Sequence, residues 1–169
     1  MSNMLVQSPT QCLVYDKMLG MMSGKNGFCA YQDKQEGDLK TPLVSLKPVA
    51  LYYRSDRVQA LDSFLPTYEI TQNCGWCDDP SDKNYNQFVT LPYPASAEKL
   101  YRNDACYDYF LVTDYNYLNP IPYKGSAIFI HLMHSDHRPT AGCLAFSKSD
   151  FTFIIKHLDP NDAFVVSII

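Results

Sequence analysis

GSAIFIHLMHSDHRPTAGCLAFSKSD, Gly125 to Asp150, is the stretch on which the reading of the whole chain depends. An apolar run, Ala127 to Ile130, ends on His131. A polar loop, Met133 to Arg138, leads into Pro139-Thr140-Ala141-Gly142-Cys143, and Leu144 to Phe146 is apolar again. That order reads as a strand, an exposed loop, a tight turn, and then a second short strand or a helix start. One loop therefore joins a His at a strand end to a Cys just after a Gly, and can bring them into contact. Nucleophilic thiol chemistry needs such a pair, because an imidazole that takes or shares the proton gives a thiolate near neutral pH. Gly142 permits a close approach of backbone to substrate, and N–H groups around Cys143 could face a developing oxyanion. Spacing alone leaves the alternative open: a buried Cys acting as a small hydrophobe, and a His satisfied in the core.

Working outward, a chain of 169 residues with 46% hydrophobic and 19% charged residues is predicted to be one ordered domain, residues 1–169. A net charge of −4 gives no electrostatic footprint for nucleic acid or an anionic membrane surface. No apolar run is long enough to span a bilayer. Residues 1–22 lack the charged start and unbroken apolar stretch of a secretory signal. The expectation is therefore a cytoplasmic protein, or a periplasmic one if a leader has been removed. Of the six cysteines, Cys74 and Cys77 have C-x-x-C spacing, but no second pair or paired His completes a zinc set. Neither a metal nor a cofactor is expected.

Local signals favour strands. Met4–Tyr15 reads as one or two strands around Ser8-Pro9, and Leu19–Gly27, with three glycines, as a turn region. Phe28–Tyr31 reads as a short strand, Asp33–Lys40 as a charged loop, and Thr41-Pro42 as a return to extended structure. Val44–Tyr53 contains Pro48, which predicts an edge strand or a bulge. Tyr68–Thr71 is a further strand, and Gly75–Asn86, dense in Asp, Asn, Ser and Pro, a long ordered loop anchored by Trp76. Ser96–Tyr101 reads as a helix with Ser96 as N-cap. Tyr109–Val112 and Ala127–His131 read as central strands, Ser149–Leu158 as a closing helix, and Phe164–Ile169 as a terminal strand. The sum is a mainly β chain whose strands form a mostly antiparallel sheet curled on itself.

The segment IFIH…PTAGCLAFS resembles the motif of the L,D-transpeptidase catalytic domain (YkuD) family, a His, a loop, and then Ser/Thr-His-Gly-Cys. His131 matches the first His, Thr140 the Ser/Thr, Gly142 the Gly and Cys143 the nucleophile. Ala141 replaces the second His, and the loop is shorter than in the commonest form, so a branch with TAGC for SHGC is the nearest match. Upstream, EGDLKTP (Glu36–Pro42), YRSDR (Tyr53–Arg57), GWCDDPSDKNYN (Gly75–Asn86) and LPYPASAEKLYRNDACYD (Leu91–Asp108) are similar to that branch. The resemblance implies a β-sandwich or curled mixed sheet with a few short flanking helices. It implies acyl transfer through a Cys143 thioester, with His131 as acid and base, the Gly142–Cys143 backbone at the oxyanion, and Thr140 or a carbonyl near His131 orienting the imidazole. His134 and His137 are expected as surface-loop residues. Arg138 is a candidate clamp for a substrate carboxylate, and Tyr115, Asn116 and Trp76 are candidate substrate-binding residues.

Peptidoglycan tetrapeptides or muropeptides are the expected partners, and carbapenems possible covalent inhibitors; no nucleic acid or membrane partner is expected. The expected activity is an L,D-carboxypeptidase of murein recycling, cutting between diaminopimelate and D-alanine. Two alternatives stand: an L,D-transpeptidase making 3→3 crosslinks or exchanging D-amino acids, and a non-catalytic binding module on the same fold.

Overall fold

The structure, a computed structural model, describes residues 4–167. A hairpin of β1 (Met4–Ser8) and β2 (Gln11–Val14) is extended by β3 (Lys17–Met22). β4 (Phe28–Cys29) and β5 (Thr41–Pro42) form a small parallel pair, with a 3-10 turn at Tyr31–Asp33 between them. There follow β6 (Ser45–Leu46), β7 (Pro48–Tyr53), β8 (Thr67–Glu69), β9 (Cys74–Cys77), β10 (Phe88–Thr90) and β11 (Ala97–Lys99). Last come β12 (Tyr109–Thr113), β13 (Ile130–Leu132), β14 (Leu144–Phe146), the helix α1 (Lys148–His157) and β15 (Phe164–Val166). Ten strands make one curled mixed sheet in the order β6-β15-β1-β2-β3-β14-β13-β12-β7-β8, and β10-β9-β11 make a second, antiparallel sheet. Three pairs of the large sheet, β1/β15, β13/β14 and β7/β8, are parallel, more than the expected antiparallel character.

Strand alternation divides the core in two. On β12, Tyr109 and Leu111 enter a cluster with Ile130, Leu132, Leu144, Phe146 and the buried α1 residues Phe151, Ile154 and Ile155. Phe110 and Val112 point the other way, into a cluster with Phe129, Cys143, Leu100 and Trp76 of the small sheet. Burying aromatic and aliphatic faces of this size contributes about 1.5–3 kcal/mol per large side chain, which is what drives the two layers together. His131, between Ile130 and Leu132, must by the same period face the second layer.

α1 begins one residue before the expected Ser149. Ser147 is its N-cap, accepting the Asp150 N–H at 3.1 Å and donating to the Asp150 carboxylate at 2.8 Å, a reciprocal cap. Among the described residues no helix is long and apolar enough to cross a membrane.

Three local expectations are corrected and one open choice is decided. Residues 19–22 belong to β3, because Gly20 sits on the open face of a strand paired on both sides, where ladder bonds outweigh its poor propensity. Of the two readings of Pro48 the bulge is observed and not the edge: β7 lies between β12 and β8, Pro48 is its first residue, and the ladder to β12 shifts register there. The first three residues of the expected Gly75–Asn86 loop, Gly75 to Cys77, fall in β9, the central strand of the small sheet. Ser96–Tyr101 is no helix; β11 pairs with β9, since so short a segment cannot nucleate a helix against an available strand edge. The strand expected at Phe164–Ile169 is observed as Phe164–Val166; residues 168–169 lie outside the described residues.

Candidate active site

β13 and β14 run parallel at the middle of the large sheet, and the 133–143 connection between them carries Cys143 back to the strand that bears His131. Both side chains line one cleft of about 380 Å³, a size suited to a small peptide. Thr140, Ala141, Arg138, His134 and Tyr107 line it as well.

The turn before Cys143 is held by backbone contacts. Gly142 has φ +134°, and a Cβ there would lie 2.8 Å from the Lys40 carbonyl oxygen, so only glycine fits. Thr41 Oγ1 donates to the Gly142 carbonyl at 2.8 Å and accepts the Gly24 N–H at 2.9 Å. The Thr140 hydroxyl donates to the Cys143 carbonyl at 2.7 Å and accepts the Gly142 N–H at 3.1 Å. Thr140 therefore staples the turn and does not touch the imidazole. Because its hydroxyl takes the Gly142 N–H, the Cys143 N–H is the amide left for an oxyanion.

The thiol of Cys143 donates to the Ala127 carbonyl at 3.1 Å and accepts the Phe129 N–H at 3.4 Å. Burial pushes its pKa up to about 12, with the charge of Glu98 acting in the same direction. His131 Nδ1 lies 2.8 Å from the Leu132 carbonyl, which can only accept, so Nδ1 carries the proton and Nε2 is the free base. Burial holds the His131 pKa down to about 4, against 6.5 ordinarily. The resting pair is thus a neutral thiol and a neutral imidazole, which corrects the expected thiolate near neutral pH: neither charge is compensated in so dry a site. The carbonyl that orients the ring is that of Leu132.

Charge pairs build the side that holds His131. Leu132 N–H donates to the Cys106 carbonyl at 3.0 Å, and the Tyr107 ring meets His131 edge-on at 5.4 Å. Asp104 caps this turn by accepting the Cys106 N–H at 3.1 Å, and its Arg102 partner holds its carboxyl well below the usual range. The YRSDR segment clamps the same turn. Arg54, paired with Asp56, donates to the Arg102 carbonyl at 2.7 Å, and Arg57 donates to the Asn103 and Asp104 carbonyls at 3.0 and 2.9 Å.

Asn86 ties the other motif segments together. Its Oδ1 accepts from Trp76 Nε1 and from the Ala127 N–H, both at 2.9 Å. Its Nδ2 donates to the Tyr115 and Asn116 carbonyls at 3.1 and 2.6 Å. Trp76, Tyr115 and Asn116, expected at the substrate, do not line the cleft. Trp76 is buried against Phe129, the Tyr115 hydroxyl donates to the Lys124 carbonyl, and Asn116 Nδ2 donates to the Ile121 and Gly125 carbonyls. They hold the wall from behind. Arg138 does line the cleft, with its side chain 58% exposed and its guanidinium 3.9 Å from Asp136. His134 lines it too, held by Asp136 at 2.8 Å, whereas His137 does not.

Sequence reading missed Glu98, Lys34 and Cys106, all of which line the cleft, as does Asp78 of the GWCDDPSDKNYN segment. The signal for Glu98 was available in the alternation of Ala97-Glu98-Lys99, hidden by the helix assignment. All six cysteines are free, and among the described residues no cluster of His, Cys, Asp or Glu is arranged to hold a metal ion.

A buried His on β13 and a buried Cys in the turn that enters the adjacent β14, opening to one cleft on a β scaffold, have the make-up that cysteine acyl transfer requires. Comparison with protein families agrees: the L,D-transpeptidase catalytic domain (YkuD) matches residues 7–168, and the chain belongs to that family. Its members are cysteine-dependent L,D-transpeptidases that act on peptidoglycan peptides and are inhibited by carbapenems. No curated protein and no solved structure matches the chain.

Proposed function

We propose that this protein is an L,D-carboxypeptidase of the TAGC branch, cutting the bond between diaminopimelate and D-alanine in peptidoglycan tetrapeptides through a Cys143 thioester. The observation that carries the reading is the tautomer of His131: Nδ1–H is committed to Leu132, which leaves Nε2 able to take a proton in the cleft that Cys143 shares. As the substrate carbonyl reaches Sγ, the thiol leaves its Ala127 partner and passes its proton to Nε2, and the S–C bond forms. The tetrahedral oxyanion is received by the Cys143 N–H. When it collapses, the C–N bond breaks and His131 returns the proton to the departing amine of D-alanine. Water, deprotonated by the same Nε2, then opens the thioester to release tripeptide.

Water is favoured over an amine acceptor because Ala141, which lines the cleft at the place of the second motif His, offers an acceptor no polar contact. Arg138 at the rim supplies a cation for a substrate carboxylate. The proposal sets the reaction in the cytosol, a compartment in which unpaired cysteines persist and recycled muropeptides are present.

Incubation with a diaminopimelate tetrapeptide tests this, with products followed by chromatography. Tripeptide and free D-alanine are expected, with little exchange when D-methionine is added and no product from Cys143→Ala. A carbapenem should add one drug mass to the wild type and none to Cys143→Ala. Dominant crosslinked or D-methionine-exchanged products would make the protein a transpeptidase instead. Absence of both product and adduct would leave a binding module.

A further inference from the structure

Glu98 is the one cleft-lining carboxylate fixed in orientation by a residue that also touches the catalytic His. Its Oε1 accepts the Tyr107 hydroxyl at 2.6 Å, and the same Tyr107 ring packs edge-on against His131. Arg102 pairs with it only loosely. That guanidinium is spent on Asp104, at 3.0 Å from Nε and 2.7 Å from Nη2, and Nη1 comes only to 3.6 Å from Glu98. Oε2 receives no hydrogen bond among the described residues, so half of the carboxylate is open to a donor that the protein does not supply.

Unlike Glu98 Oε2, which is reached by solvent, one carboxylate oxygen bordering the same cleft is orphaned. Asp78 Oδ1 is shut off from solvent and has no hydrogen-bond partner. An uncompensated buried carboxylate oxygen is costly, and a cation that enters the cleft would relieve it. The groups facing Glu98 are Tyr107 and Arg102 on the following turn, Asp78 after β9, and Glu36 on the loop before β5. Burial and the two carboxylates raise its pKa, against the pull of Tyr107 and Arg102. Since these side chains are not grouped to hold a metal, the donor that fits is an organic ammonium.

We propose that Glu98 is a specificity-determining residue of the cleft, its Oε2 binding a side-chain ammonium of the acyl-donor peptide. The proposal rests on the peptidase reading above and adds how the donor is selected. It has a consequence for the nucleophile. The Glu98 charge disfavours the Cys143 thiolate in the empty site, and a bound ammonium cancels that charge. The occupied cleft therefore disfavours the thiolate less than the empty one, while the bound peptide covers Sγ against any other electrophile.

The test uses two tetrapeptides: one whose third residue carries a free side-chain ammonium, and its N-acetylated twin. Binding is read as protection of Cys143 from iodoacetamide, located by mass spectrometry, and turnover as tripeptide released. The wild type should be protected by the ammonium peptide at a concentration roughly 10- to 100-fold lower than by the twin, as expected for a charge-assisted hydrogen bond. Glu98→Gln should lose that preference and treat the two peptides alike. Its alkylation profile without peptide should also move to lower pH, a shift that a merely structural role would not produce. Glu98→Asp, which keeps the charge, should restore part of the preference, and also stands in if Glu98→Gln does not fold. If either variant keeps the full wild-type preference while tripeptide is formed, the Glu98 assignment falls and the peptidase reading stands. If the preference follows Glu98 but no tripeptide appears, the reverse holds.

Discussion

Cys143, immediately before β14, and His131, on β13, are the proposed nucleophile and base, and they are held by opposite means. The Cys143 side is steric and backbone-bound: Gly142 pressed on the Lys40 carbonyl, Thr41 and Thr140 stapling carbonyls, and scarcely a charge involved. The His131 side is electrostatic, an interlocked set of Arg54–Asp56, Arg57–Asp108 and Arg102–Asp104 pairs that fixes the turn bearing Cys106 and Tyr107. A nucleophile must be placed to a fraction of an ångström, and close packing does that. A base must keep a chosen protonation state, and the surrounding charges and burial set that. The two sides should therefore fail differently.

The largest effect belongs to His131→Ala. Turnover should fall by about 10²–10⁴, the usual worth of general acid–base help. Alkylation of Cys143 in the free enzyme should hardly change, because the resting thiol is neutral with or without the imidazole. A large drop in alkylation near neutral pH would restore the ion-pair picture. The same variant removes a pH dependence of stability. His131 titrates near 4 in the fold and near 6.5 when unfolded, so between those values only the unfolded chain takes up the proton. The part of wild-type stability that His131→Ala lacks should hence fall as pH drops from about 6.5 to 4, by on the order of 3 kcal/mol, and this difference between the two proteins should level off below. Denaturant melts of wild type and variant across that range would read it.

Next in size is Gly142→Ala. The new Cβ would meet the Lys40 carbonyl at 2.8 Å in a backbone conformation at φ +134° that side chains rarely adopt. A loss of about 1–3 kcal/mol is expected from the strain, together with a rate loss of about 10²-fold for a displaced nucleophile. Neither figure should depend on salt. Recovery of activity at high ionic strength would break the distinction between the two sides.

How far these features could be read from residues alone depends on what fixed them. Cys143, His131 and the strands around them were legible because an apolar run, a loop and a glycine turn are local patterns. So was α1, from the spacing of Phe151, Ile154 and Ile155. The neutral resting pair was not legible, since it depends on burial that only the assembled layers create. Nor was the part played by Trp76, Tyr115 and Asn116, which converge through Asn86, a residue distant from two of them in sequence. Glu98 was lost to a propensity argument: Ser96–Tyr101 has a helix-like cap and face, but the β9 edge captured it, and a strand reading would have sent Glu98 and Lys99 to opposite sides.

The smallest effect, and the sharpest probe of the electrostatic side, is Arg57→Gln. Arg57 joins Asp108 at 3.1 Å and donates to two carbonyls of the turn that leads to Tyr107, with its side chain about one-third exposed. Partly solvated pairs of this kind contribute about 0.2–1 kcal/mol, so the variant should melt only slightly below wild type. Half of that difference or more should vanish in 1 M salt, where the screening length shrinks to about 3 Å. Turnover should fall modestly, through a loosened Cys106–Leu132 contact that lets the imidazole wander, and the fall should appear in kcat with little change in KM. A stability difference untouched by salt would mean that Arg57 acts by packing its stem, and that the His131 side is held in the same way as the Cys143 side.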